Sequence, residues 1–128
     1  MKLLLDTHVF IWSAGTPEKL SQRARELLLD TSNTLVLSIA SIWEIQIKLQ
    51  LGKLRLNSPL PNLIESQQQT NNLQLLPIEL AHIWALANLP NHHRDPFDRL
   101  LIAQSIVEHI PILSADSALD AYQTQRLW

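Results

Sequence analysis

Three short aliphatic runs, Leu3-Leu4-Leu5, Leu35-Val36-Leu37 and Ile110-Pro111-Ile112-Leu113, constrain this chain more than any other feature. Each is too short for a helix and reads as a buried parallel strand. Leu73-Gln74-Leu75-Leu76 is a weaker fourth. Between them the apolar residues take helical spacing. Glu18 to Asp30 follows Pro17 and sets Leu20, Ala24, Leu27 and Leu28 on one face. Ile39 to Leu51 ends at Gly52, a C-cap residue. Leu60 to Gln69 and Glu79 to Leu89 are further helices, the second stopping before Pro90. Pro96 to His109 opens with Asp-Pro, a strong helix start. Strands alternating with helices predict a single α/β domain over residues 1–128, with a short, mainly parallel sheet and right-handed crossovers.

Composition removes several function classes. The chain has no Cys, which excludes disulfide scaffolds, thiolate zinc sites and cysteine nucleophiles. With two Gly it has no glycine-rich phosphate loop. No apolar run is long enough to span a bilayer, and the Lys2 to Asp6 start is not a secretory signal, so a soluble cytoplasmic protein without membrane contact is expected. The net charge of −2 is unevenly spread. Residues 1–64 carry seven Lys/Arg against five Asp/Glu, and residues 65–128 carry three against seven. Lys48, Lys53 and Arg55 form a basic cluster, so a polyanion would be held over a small footprint.

Open parallel sheets bind ligands at the carboxyl ends of their strands. Asp6 directly follows the first run, and Asp116 lies three residues after Leu113. Either Asp also reads as a helix cap. Glu44 shares a narrow polar strip with Ser41 and Lys48 on an otherwise apolar helix, so it faces a crevice or the surface. Ser41–Glu44 has capping-box spacing, and Glu44–Lys48 is a favourable i, i+4 pair. Asp95 is a natural N-cap and Asp98 suits the positive end of the helix it opens. Taken together, however, carboxylates converging on one crevice repel one another, and a hard divalent cation such as Mg²⁺ or Mn²⁺ relieves that repulsion. Such a site serves in-line attack on a phosphodiester. The adjacent His92 and His93 lack zinc-site spacing and read as a polar loop.

The segments Leu5-Asp6-Thr7-His8, Ser38 to Leu54, His93 to Gln104 and Leu113-Ser114-Ala115-Asp116 resemble the PIN-domain ribonucleases, in particular the VapC-type toxins of toxin–antitoxin pairs. The resemblance covers essentially the whole chain, and its Arg-Asp-Pro-Phe-Asp-Arg and Trp-Glu-Ile segments are specific. It implies a PIN-like α/β fold and a Mg²⁺- or Mn²⁺-dependent endoribonuclease. Asp6, Glu44, Asp98 and Asp116 match the acids that hold the metal and carry catalysis. Asp95 is an extra acid with a capping or supporting role, Ser114 stands where many members have Thr, and Thr7 follows the first acid. An antitoxin partner and a homodimer are also implied. The scarcity of charge between Leu56 and His93 supports the dimer, and the helices Leu60–Gln69 and Ile39–Leu51 are the expected contact surfaces.

Two other readings compete. A phosphatase using Asp6 as nucleophile needs a second Asp two residues on, where His8 stands. A non-catalytic binding module would use the acids only as caps. Trp12, Trp43 and Trp84 are expected to be structural, with Trp43 packing to hold Glu44 in place.

Overall fold

The computed structural model describes residues 1–128, and in it the aliphatic runs become adjacent strands. The strands are β1 (Lys2–Leu5), β2 (Thr34–Ser38), β3 (Gln74–Leu76), β4 (Ile112–Leu113) and β5 (Arg126–Leu127). The helices are α1 (Thr7–Gly15), α2 (Gln22–Leu29), α3 (Ile39–Gln50), α4 (Leu60–Asn71), α5 (Leu80–Leu86) and α6 (Pro96–Glu108). The sheet runs β3-β2-β1-β4-β5, and every pairing is parallel.

β1 is central, and its side chains alternate between two cores as a pleated strand requires. Leu3 and Leu5 pack with Leu35, Leu37, Phe10 and Leu113 on one face. Leu4 packs on the other with Val36, Ile112 and residues Leu101 and Ile102 of α6. A strand covered on both faces has no reason to alternate apolar with polar residues, which is why the runs are continuous.

The chain first moves outward through β2 and β3. It then returns across the sheet through α5 and α6 to β4, on the other side of β1. The strand order therefore reverses at β1 and β4, and the crevice beyond their carboxyl ends is where such sheets bind ligands.

Three local features depart from the periodicity reading. The expected Glu18–Asp30 helix is broken: Pro17–Lys19 forms a short 3-10 turn, and Ser21 caps α2 by accepting a hydrogen bond from the Ala24 N–H at 3.0 Å. A free hydroxyl at that position offers the backbone a better start than continuing from Pro17. α1 was not expected, because its apolar residues do not segregate to one face. β5 is a two-residue strand whose pairing to β4 only the assembled sheet provides.

α3 begins and ends as its sequence requires. The Ser38 hydroxyl accepts from the Ala40 N–H at 3.0 Å. At the other end Gly52 has φ +70°, the Gly52 N–H donates to the Leu49 carbonyl at 3.1 Å and the Lys53 N–H to the Lys48 carbonyl at 2.9 Å. This is a Schellman motif, and its left-handed residue is the position glycine serves best. It turns the chain back so that Lys53 follows closely on Lys48.

Candidate active site

Asp6 stands at the cap position of α1, yet its side chain makes no capping hydrogen bond. It is buried (6% exposed), and its Oδ2 accepts a 2.6 Å hydrogen bond from the Ser114 hydroxyl, just beyond β4. Its Oδ1 is buried with no partner at all. A buried carboxylate oxygen left unpaired is costly, so capping does not account for this residue. Burial raises the Asp6 pKa, against a lowering by the Ser114 bond, and the Glu44 charge raises it further.

Glu44 is equally buried, although the apolar character of α3 put most of that helix's surface inside. Of the two places open to Glu44 the structure takes the crevice, and it inverts the expectation for Trp43. The polar strip of Ser41 and Glu44 faces inward, while Trp43 is 59% exposed. The reason is that the interior supplies partners. Thr7 of α1 donates to Glu44 Oε1 at 2.8 Å and lies 2.9 Å from the Ser41 hydroxyl, and Lys48 Nζ stands 3.0 Å from Glu44 Oε2. The i, i+4 ion pair expected as an alternative explanation of Glu44 is present, but at a carboxylate turned into the crevice and not on a solvated face.

Asp98 enters from the first turn of α6. Asp95 caps that helix, its Oδ1 accepting from the N–H groups of Phe97 at 2.8 Å and Asp98 at 3.2 Å. The Asp98 pKa is pushed up to about 7, first by burial and then by the negative charges of Asp6, Asp95 and Glu44, with His93 opposing. Asp6, Glu44 and Asp98 thus feel one another's charge, as carboxylates of one crevice must.

Asp116 joins from the rim. Its Oδ1 caps the 3-10 helix Ser117–Ala121 through the Ala118 N–H, and its own N–H donates to the Ser114 hydroxyl at 3.0 Å. Its side chain is the most open of the four. The link to Asp98 is His93, whose Nε2 lies 3.1 Å from Asp98 Oδ2 and 3.3 Å from Asp116 Oδ2. Because His93 Nδ1 accepts from the Asp95 N–H at 3.2 Å, Nε2 is the nitrogen that carries the proton toward the two acids.

His93 lies in a loop, as the sequence reading has it, but it bridges two of the acids, a role that reading does not give it. The available signal was its position two residues before the cap of the Asp98 helix, a spacing that folds the ring back over the helix start. The loop is held from both sides: the Tyr122 hydroxyl accepts from the His92 and His93 N–H groups, and Arg99 donates to the carbonyls of Pro90 and His93.

The tryptophan expectation is corrected for two of its three residues. Trp12 packs against the core as expected. Trp43 does not hold Glu44 by burial: it meets only the edge of Phe97, with ring centroids 5.2 Å apart, and Trp84 is 66% exposed.

The donor set fits a divalent metal. It consists of carboxylate oxygens, one of them an unpaired buried Oδ1, and hard cations prefer such oxygens. Asp98 and Asp116 each offer a ligand oxygen within 4.8 Å of the other, and the His93 Nε2–H stands between them. Asp6 and Glu44 are the further carboxylates of the same crevice.

The family model of the PIN domain matches residues 3–124, and the chain belongs to that family. Solved structures share the fold across nearly their whole length at low identity. A chain of VapBC2 from Rickettsia felis, bound to a DNA fragment from its promoter, superposes with a TM-score of 0.76 at 12% identity, covering 99% of this chain and 98% of that one. A chain of FitAcB from Neisseria gonorrhoeae gives 0.68 at 16% identity, covering 98% and 96%. A chain of VapBC-1 from nontypeable Haemophilus influenzae gives 0.66 at 15% identity, covering 99% and 97%. No curated protein matches this chain in sequence. PIN domains are in general nucleases that use divalent metal ions.

Proposed function

We propose that this chain, read as one nuclease domain over residues 1–128, is a Mg²⁺- or Mn²⁺-dependent endoribonuclease acting as the toxin of a toxin–antitoxin pair. The observation that carries this reading is the convergence of Asp6, Glu44 and Asp98 at the point where the sheet order reverses, with Asp6 Oδ1 left unpartnered and the Asp98 pKa lifted to about 7. Asp6, Glu44, Asp98 and Asp116 would hold the ion. When bound, it supplies positive charge to the phosphodiester and lowers the pKa of water for in-line attack on phosphorus.

The chain's own residues do the positioning. Ser114 fixes one oxygen of Asp6 so that the other faces the crevice. Thr7 fixes Glu44, and Lys48 offsets its charge. His93 draws Asp98 and Asp116 together. Lys48, Lys53 and Arg55 bind the RNA backbone beside the acids.

The partner reading rests on the neighbours, among them a complex of Klebsiella pneumoniae described as toxin–antitoxin, and on exposed apolar surface. Ile39, Ile42, Trp43, Leu60 and Ile64 line an open groove of about 480 Å³ between α3 and α4, the helices expected to make contacts. An antitoxin segment seats there. α5 carries a separate exposed stripe of Leu80, Ile83 and Trp84, so a second copy can be accommodated as well. No helix is long and apolar enough to cross a membrane.

The test is cleavage of a structured RNA by purified protein with Mg²⁺ or Mn²⁺, with EDTA, and with Glu44→Gln. Cleavage only by the wild type with metal is expected. Equal cleavage in EDTA or by Glu44→Gln overturns the assignment.

A further inference from the structure

The acidic crevice has a basic neighbour of a different kind. Lys48, whose Nζ pairs with Glu44, also lines a cavity of about 510 Å³ on the other side of that ion pair. The remaining cations on its wall are Lys19, Lys53 and Arg55, and no carboxylate lines it. None of these three forms a salt bridge, so their charges stay available to a ligand. Lys53 and Arg55 come from the turn that Gly52 makes at the end of α3, and Lys19 comes from the 3-10 turn that breaks the expected second helix. Lys19 belongs to no sequence cluster with the other two; the fold alone brings it to them.

The wall is also aromatic and polar. Trp12 lines the cavity, with Lys19 Nζ 5.9 Å from its ring centroid, and Asn57 presents an amide. Cations for phosphate, an aromatic surface for a base and an amide for a base edge are the components of a single-stranded nucleotide site. The volume suits one small bound group, not a duplex.

We propose that this cavity is a nucleotide-binding subsite. It holds an unpaired nucleotide of the RNA next to the scissile phosphate, with Lys19, Lys53 and Arg55 on the phosphates and Trp12 and Asn57 against the base. Lys48 stands at its junction with the acids, so a strand leaving the subsite passes directly onto Glu44 and Asp6. The proposal rests on the ribonuclease reading, and it makes the preferred substrate a loop or single strand.

The test measures binding in EDTA, where no cleavage occurs, with a six-residue single-stranded oligoribonucleotide as probe. Lys19→Ala and the double variant K53A/R55A each weaken binding, the double variant by at least about tenfold. The double variant also lowers the slope of log affinity against log salt by about 1.4, from about 0.7 per lost phosphate contact on single strands. All variants keep the wild-type melting temperature, since these side chains are exposed. Tripolyphosphate and an oligoglutamate peptide bind more weakly than the oligoribonucleotide. Unchanged oligoribonucleotide binding by the double variant overturns the subsite. Equal or tighter binding of oligoglutamate also overturns it and makes the cavity a docking site for an acidic protein segment. Oligoribonucleotide binding that K53A/R55A weakens, without metal-dependent cleavage, would instead defeat the nuclease reading and leave the nucleotide site standing.

Discussion

The two ends of α6 carry two polar clusters built on opposite terms. Toward its carboxyl end, Gln104 and Glu108 meet His82 of α5, which is fully buried. There nearly every group is matched. The Glu79 N–H donates to His82 Nδ1 at 3.0 Å, His82 Nε2 lies 3.2 Å from Glu108 Oε1, and Gln104 Nε2 donates to the Pro77 carbonyl at 3.3 Å. The one orphan is Gln104 Oε1, a neutral amide oxygen. At the amino end the carboxylates Asp6, Glu44, Asp95 and Asp98 act on one another, and the orphan is an oxygen of a carboxylate. The first cluster spends its polar groups on joining two helices. The second leaves its carboxylates only partly compensated, by Lys48 and His93, and a crevice of that kind is stable only because the surrounding sheet holds it together.

The largest separation between the clusters lies in activity. Glu44→Gln and Asp6→Asn are each expected to cut metal-dependent RNA cleavage by about 10³-fold, roughly 4 kcal/mol of lost transition-state stabilisation. Asp6→Asn does not lower the melting temperature in EDTA, because it removes a charge that burial disfavours, and Glu44→Gln, which also gives up the Lys48 ion pair, lowers it by far less than it lowers activity. Single-turnover cleavage paired with thermal melts checks both parts. A fall in melting temperature as large as the activity loss would mean that these acids are structural.

His82→Ala reverses that pattern. It strands the Glu79 N–H and Glu108 and opens a void, with an expected cost of about 2–4 kcal/mol in urea unfolding. Cleavage per folded molecule stays within about twofold, because His82 lies away from the acids.

Smaller still is the pH effect, which belongs to the amino end. The folded Asp98 pKa of about 7 lies above its unfolded value of about 3.9. Its stabilising contribution is therefore fully present below about pH 4 and is lost as pH rises through about 7. In EDTA the urea midpoint falls from pH 5 to pH 7.5. Asp98→Asn flattens that slope, and Mn²⁺ at saturating concentration reduces it while raising the midpoint and releasing protons. A flat wild-type profile in EDTA would remove the crowding argument.

The smallest effect concerns the basic side of the crevice. Gly52→Ala keeps φ near +70° only at a cost of about 1 kcal/mol, although no atom blocks the added methyl. Binding of the single-stranded oligoribonucleotide weakens with it if the Schellman turn is what presents Lys53 and Arg55.

Four of the five strands, the α3 and α6 starts and the placing of Asp6 and Asp116 just beyond strands were legible in the sequence because each is a local statement. Continuous aliphatic runs mean burial on both faces, Ser38 and Asp95 are caps, and Asp6 and Asp116 sit just beyond strands. The resemblance carried by the Asp98 and Glu44 segments extended that to a family. His93 was not legible, because its role depends on a loop that Tyr122 and Arg99 fold back over α6. Neither was the exposure of Trp43. An indole on an apolar helix reads as core until it is known that the polar side of that helix has partners inside.

Sequence alone therefore determined which segments are buried and where acids can lie relative to strand ends, since periodicity and capping act over a few residues. Tertiary structure decided which distant groups share a field. Asp6 and Ser114 are 108 positions apart and Lys19 is far from Arg55 in the chain, yet the order β3-β2-β1-β4-β5 and the turns after α1 and α3 place the first pair in hydrogen-bond contact and the second on one cavity wall. Coulomb repulsion and desolvation depend on separation in space, and separation along the chain does not specify it.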